Sequence, residues 1–534
     1  MSLIKYRSLP AAKSPTNLSN RRIETMKKIL IICTGAVSAL LGACVNVDKE
    51  TAEKPFVYWK APEEAIPQKT VAPEDITDDK ILRDGQKAKP EKLFVRANDK
   101  VAAGERLDIA DIIDVALENN QTTRIYWFQA KSYAAAVGKA QSSYYPQVSV
   151  SGEVYRSTTR PSLGYGGPFL SVGRYYETGF GPSAQINWLL CDFGARSSKV
   201  ESARQALYAA NFEYNRAIQE VVLNVNIAYY SLFEAFGSVK AAKLSVDDAR
   251  TAYEAANERY KSGVGNKPDM LNALANLKTA EFSLESARSS VETARANLAL
   301  AMGIRVNQKL NIDENLSPCP CQEAEQTIET LVASAFRARQ DLLASYALLK
   351  KTQYDEEAAR RSFLPQISAA AQGSLTDYTR HGRSTQDNLQ VGIGISWSIF
   401  EGFARKYDLI SAQAARRAQA QTLKQTQIQI VADIWSAYYL YKSSLKQLAS
   451  ARAAVEANNE AYLAVKTGYE NGVNSITDFL NAQNRLASAR QQEVTALSTV
   501  STSVAKLAYA TGALSADSEK MGIIPTIPGE KSQN

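Results

Sequence analysis

Residues 259–271 read RYKSGVGNKPDML and residues 468–480 read GYENGVNSITDFL, so an aspartate stands six positions after a glycine in each of two distant stretches. Asp269 and Asp478 are the side chains with most chemistry to offer. Carboxylates repeated around an axis would ring a narrow pore, favour cations there and raise one another's pKa by repulsion. A plainer account stays open at this point, since an acid near a helix N-terminus is held by backbone amides and the helix dipole. Neither stretch has the form of a phosphate loop or a metal site, and no nucleophile stands with a base in a recognisable motif. Cys319-Pro320-Cys321 could be redox-active or bind metal, yet no histidine lies near it, and the chain's one histidine, His381, sits among polar residues. An inert or locally oxidised linker and a solvated histidine account for them. No catalytic residue, metal or cofactor is expected.

The two stretches belong to a longer register. An offset of 209 aligns Tyr260 with Tyr469, Trp188 with Trp397, Arg196 with Arg405, Tyr229-Tyr230 with Tyr438-Tyr439 and Gly303 with Gly512. Upstream, YYPQVS at 144–149 matches FLPQIS at 363–368 with an offset of 219, so the first copy has ten extra residues between its proline and its tryptophan. The chain reads as a tandem duplication of a unit of roughly 200 residues, too long for a short solenoid repeat.

Each copy must build long helices and short strands. From Ala195 to Ser262 there is no proline and one interior glycine, Gly237, which predicts one helix about 100 Å long at 1.5 Å per residue; residues 404–471 repeat it. Shorter helices are expected at 107–144, 268–302, 325–363 and 475–511, and alanine faces such as Ala203, Ala206, Ala209 and Ala210 let helices approach closely. Pro146 and Pro365 stand where a helix must stop. Strands are expected near 147–160, 175–190, 366–377 and 388–400, the last alternating Val391, Ile393, Ile395, Trp397 and Ile399 with Gly392, Gly394, Ser396 and Ser398. A soluble antiparallel sheet with one wet face shows the same alternation. Tyr144, Tyr145, Trp188, Trp397 and Phe400, however, stand near the helix-proximal strand ends, where an interfacial aromatic girdle would lie. Four strands leave two open edges, and no open edge faces lipid, so the chain is expected to share a barrel with copies of itself.

Residues 1–43 read as a signal peptide, with Met26-Lys27-Lys28 before an apolar run from Ile29 to Leu40; residues 1–25 precede a good start at Met26. The small residues before Cys44 resemble the lipobox of bacterial lipoproteins, which implies acylation of Cys44 and makes outer-membrane lipid a partner. Removing the segment takes +6 from the formal +7 and leaves +1, without a basic stripe to support a nucleic-acid partner. Cys191, Cys319 and Cys321 then remain, which is no disulfide framework. Residues 44–103, with Pro55, Pro62, Pro67, Pro73 and Pro90, are expected to form a lipid-anchored extended tether. The first repeat then runs over 104–303, a linker over 304–324, the second repeat over 325–514 and a tail over 515–534.

In this order the residues resemble the TolC family of outer-membrane channel proteins, in its lipoprotein branch. The likeness covers about Gly104 to Leu514 and rests on the duplicated units, the helix-Pro-strand-loop-strand-helix order, the strand exits from Trp188 to Arg196 and from Trp397 to Arg405, and the paired Tyr-x-x-Gly turns. It implies an α+β membrane protein, a homotrimer whose four strands per subunit make a twelve-stranded β-barrel continued by a periplasmic α-helical barrel. It implies a passive exit duct for an inner-membrane pump, reached through a periplasmic adaptor (membrane fusion) protein. The adaptor would dock at Gly263, Val264, Gly472 and Val473. Asp269 and Asp478 map onto the family's acidic gate rings, and a third acid maps onto Asn481, a departure that lowers the charge there. Tyr469 takes the gate-locking tyrosine position, with Asp269 of a neighbouring subunit as partner, while the family's basic position beside this lock holds Asn474. Two other readings are carried, an exit duct for type I protein secretion and a periplasmic coiled-coil structural protein without a pore.

Overall fold

The computed structural model describes residues 51–52, 54, 56–60, 62, 106–159, 175–306, 310–312, 327–379 and 383–514. The signal segment, Cys44, His381, Cys319, Cys321 and the tail from 515 lie outside them. The chain divides into Met1–Val47 and Asp48–Asn534, and every described residue belongs to the second unit.

Elements follow one another as α1 (Ile109–Asn119), α2 (Gln121–Gln141), β1 (Gln147–Thr159), β2 (Tyr175–Cys191), α3 (Ala195–Lys261) and α4 (Lys267–Met302). They then recur as α5 (Ile328–Ala338), α6 (Gln340–Arg361), β3 (Gln366–Thr379), β4 (Arg383–Ser396), α7 (Ala404–Glu470) and α8 (Ile476–Thr511). The two long helices have 67 residues each and the two returning helices 36.

The four strands form one antiparallel sheet in the order β1-β2-β3-β4, so β1 and β4 are its edges. Its apolar face has no cover among the described residues: Val150 is 76 % exposed and Ile393 74 %, with Val148, Val154, Val391 and Ile395 beside them. One strand differs from expectation. β4 runs Arg383–Ser396 rather than 388–400, although the apolar alternation continues to Ile399. Its partner β3 begins at Gln366, which pairs with Ser396; Pro365 before it has no N–H to continue the ladder, so Trp397 leaves the sheet. At the other end Arg383 pairs with Thr379 in a tight hairpin, which its polar sequence concealed.

Two expected helices are each broken once. Residues 107–144 form α1 and α2 about an extended Asn120, and residues 325–363 form α5 and α6 about an extended Arg339. The breaks correspond at the offset of 219, and each is stabilised by a side chain reaching a returning helix. Asn120 Nδ2 donates to the Ala301 carbonyl (2.9 Å) and Arg339 Nη1 to that of Ala510 (3.2 Å). Ala301 and Ala510 are themselves 209 apart. Asn120 also accepts from Thr122 N at the start of α2, which explains a break without proline or glycine. Arg339 is buried, and Asp341 (2.6 Å) and Asp433 (3.0 Å) neutralise it.

The core runs along α3, which packs against α1, α2, α4, α6 and α8 and buries Leu207, Phe212, Tyr214, Ile218 and Val222. Gly237 lies where α8 crosses α3, and a Cβ there would stand 2.6 Å from Val494 Cγ1. Part of the expected tether is seated on this helix. Trp59 is buried with its ring edge-on to Phe212 at 5.4 Å; its N–H donates to Asn215 Oδ1 (2.9 Å) and its carbonyl accepts from Asn215 Nδ2 (3.0 Å). The Tyr214 hydroxyl donates to the Val57 carbonyl (2.8 Å) and Trp127 Nε1 to that of Ala52 (2.7 Å). Residues 51–60 therefore include a strap with its own aromatic anchor, because Phe56, Tyr58 and Trp59 offer more apolar surface than a free tether carries.

Candidate functional site: the paired helix turns

The quoted stretches are the turns that join α3 to α4 and α7 to α8. Each long helix ends in a Schellman motif. Gly263 N–H donates to the Tyr260 carbonyl and Val264 N–H to that of Arg259; Gly472 N–H donates to the Tyr469 carbonyl and Val473 N–H to that of Gly468. Both glycines have φ +77°, and a Cβ on either would meet nothing within 4 Å. Backbone conformation alone therefore demands glycine here. The following valines point away from the helices, with Val264 83 % and Val473 81 % exposed. All four residues expected at a docking surface are thus at or beside the tips.

The aspartates have different surroundings. Asp478 is the third residue of α8 and completes a capping box: Ser475 Oγ accepts from Asp478 N (3.1 Å), and the Asp478 carboxylate accepts from Ser475 N (3.3 Å) and Oγ (2.6 Å). The capping account is therefore realised at Asp478. At Asp269 the cap is Asn266, whose Oδ1 accepts from Asp269 N (2.9 Å), with Pro268 in the first turn of α4. Asn481 is exposed one turn beyond Asp478 and borders an open polar cleft of about 510 Å³ with Asn458, Asn484 and Arg485.

Tyr469 is 6 % exposed and stacks on Phe479, which stacks in turn on Tyr462, at centroid distances of 5.3 and 5.7 Å. Arg259 covers the outer face of Tyr469 at 4.4 Å. Burial pushes the Tyr469 phenol above its ordinary pKa; Arg259 opposes the shift and Asp269 adds to it. At the far end of the stack the Tyr462 hydroxyl donates to Asp248 Oδ1 (3.3 Å), and Arg490 holds Asp248 Oδ2 at 3.0 Å. Burial, then Asp248, push the Tyr462 phenol up to about 12.

At the sheet end of the long helices, the aligned tryptophans and arginines have a shared task. Trp188 Nε1 donates to the Tyr144 carbonyl (2.9 Å) and Trp397 Nε1 to that of Phe363 (3.0 Å). Arg196 Nη1 donates to the Leu189 carbonyl (2.7 Å) and Arg405 Nη1 to that of Ser398 (2.8 Å). Each arginine also pairs with an acid four residues earlier, Asp192 or Glu401. The chain enters α3 and α7 through two consecutive left-handed residues, Phe193-Gly194 and Gly402-Phe403. The repeat register exposed these residues but not their work, because the carbonyl each one reaches belongs to backbone, which leaves no mark on residue type. Arg259, inside residues 259–271, carries no such repeat signal, since its counterpart in the register is Gly468.

Among the described residues no group of three His, Cys, Asp or Glu side chains is arranged to hold a metal, and no helix is long and apolar enough to cross a membrane. The sequence model of the outer membrane efflux protein family matches residues 112–304 and 331–513. Protein CyaE of Bordetella pertussis is 27 % identical over 431 residues, covering 77 % of this chain and 85 % of that protein. Outer membrane efflux protein BepC of Brucella suis is 24 % identical over 391 residues, 71 % of this chain and 80 % of that one. The crystal structure of the Campylobacter jejuni CmeC outer membrane channel superposes with a TM-score of 0.66 at 19 % identity, covering 76 % of this chain and 85 % of that one, which establishes a shared fold.

Proposed function

The chain belongs to the outer membrane efflux protein family, and on that premise we propose how its two ends do the work of an exit duct. It is an outer-membrane channel of an efflux system that extends into the periplasm, a passive conduit and not an enzyme. The observation that carries the finer reading is the joining of one sheet, with an uncovered apolar face, to two helices about 100 Å long that end in paired exposed turns.

We infer a homotrimer with a twelve-stranded barrel. The open edge of β1 follows α2, and the open edge of β4 leads into α7. Ile125 and Phe128 are exposed on α2, Tyr407 and Ile410 on α7. Open edge and uncovered helix thus recur together on each flank, as a head-to-tail ring needs, and closure leaves no edge in lipid. Twelve strands suffice for a lumen wider than a packed core.

At the other end, Gly263, Val264, Gly472 and Val473 are the docking surface for a periplasmic adaptor that links the duct to an inner-membrane pump. Asp269, Asp478, Asn481 and Tyr469 form the gate, with two carboxylates per subunit favouring cations at the constriction. Acylation of Cys44 would anchor the N-terminus. The strap supports this: six residues stand between Cys44 and Thr51, and the seven steps from one to the other can span at most roughly 25 Å. Trp127, which holds Ala52, lies seventeen residues before Tyr144, about 25 Å along a helix.

The test is single-channel recording of the purified protein in planar bilayers, beside Asp269→Asn combined with Asp478→Asn, which removes charge but leaves acceptors at the caps. Small cation-selective currents that grow or lose selectivity in the variant support the gate; currents of unchanged size and selectivity sink it. Val264→Asp with Val473→Asp should abolish export in cells while leaving conductance intact, and unchanged export sinks the docking surface.

A further inference from the structure

The first turn reaches across to the second through one side chain. Arg259 Nη2 donates to the carbonyls of Tyr469 (2.6 Å) and Glu470 (2.8 Å), while its guanidinium covers the Tyr469 ring. These carbonyls close the C-terminus of α7, where a cation is favoured by the helix dipole and charge-assisted bonds are the strong ones. A planar fork that stacks and donates at once is a property of arginine that lysine lacks.

We propose that Arg259 is the positioning residue of the periplasmic gate: it holds the end of α7, and Tyr469 with it, against the end of α3, and its release frees the α7–α8 hairpin to swing. This rests on the gate reading above. The tie runs one way. The residue at the corresponding position of α7 is Gly468, which has no side chain to return the contact. The stack of Tyr469, Phe479 and Tyr462 is held at both ends from α3, by Arg259 at the tip and by Asp248 about 16 Å higher along the helix. The second hairpin is thereby the clasped partner and the first the frame.

Planar-bilayer recording of the full-length protein tests this with Arg259→Ala, Arg259→Lys and, as control, Lys261→Ala, whose ammonium pairs with its helix neighbour Glu258. Arg259→Ala should raise open-state occupancy at least about tenfold, the equilibrium worth of a hydrogen bond to a charged group. Arg259→Lys should fall between it and wild type, and the control should match wild type. Current from Arg259→Ala equal to a measurable wild-type current overturns Arg259's role alone, as does an equal rise in Lys261→Ala. No current from any of these proteins overturns the gate reading and this role with it. If Arg259→Ala lowers the thermal midpoint, the lysine variant decides: raised occupancy at an unchanged midpoint supports the role, and wild-type occupancy overturns it.

Discussion

Helices α3 and α7 have the same length, start after the same left-handed pair and end in the same turn, yet their sheet-proximal halves face different surroundings. α3 is buried from Ala195 onward, whereas the first buried residue of α7 is Ile430. In register, Leu207, Phe212 and Ile218 of α3 correspond to Arg416, Gln421 and Gln427 of α7. α3 lies inside the wall its own chain builds, under the strap, α2 and α6; α7 is the rim of that wall. The duplicated copies diverged according to what covers them. Helix propensity tolerates either set, and burial separates them.

The strongest way to break this comparison is Phe212→Ala against Gln421→Ala. The first should lower stability by roughly 3–5 kcal/mol, as for other buried aromatics, and the second by under about 0.5 kcal/mol, read from thermal unfolding in detergent. Equal losses would mean that α7 is as buried as α3. Next comes the crossing of α3 and α8. Gly237→Val should cost about 1–3 kcal/mol through overpacking against Val494, while Lys446→Val, at the corresponding position of α7, should change little. The smallest effect sharpens the comparison toward the tip, where Tyr462 of α7 is buried and its counterpart Tyr253 of α3 only partly so. Its raised pKa favours the folded state fully below the ordinary tyrosine value near 10, and that contribution is lost as pH rises through about 12. Unfolding measured at pH 9 and pH 11 should therefore show an alkaline loss that Tyr462→Phe reduces, by less than about 1 kcal/mol after solvent screening. An unchanged pH dependence would remove Asp248 and burial as its cause.

Much of this was legible beforehand. Absence of proline over nearly seventy positions marked α3 and α7, and the two turn glycines marked the tips, because left-handed backbone has few alternatives to glycine. What stayed hidden was mostly polar and reciprocal. The breaks at Asn120 and Arg339 depend on carbonyls 181 and 171 residues away, and no local pattern announces such a partner. The end of β4 is not legible in its alternation, which describes a strand's faces and says nothing of whether its neighbour continues. The contrast between α3 and α7 was present in the register all along, in Phe212 against Gln421, but it becomes meaningful only when one knows which helix is covered. At the candidate gate, Asp269 and Asp478 read alike in sequence, and only the capping box at Asp478 separates them.

The junctions where Trp188, Arg196, Trp397 and Arg405 bind backbone carbonyls beside the sheet make each long helix a cantilever clamped at that end. In such a beam a push at the free end produces its greatest deflection at the tip and none at the clamp. A displacement at the tips of α3 and α7 would therefore be absorbed along their length and leave the strand ends in place.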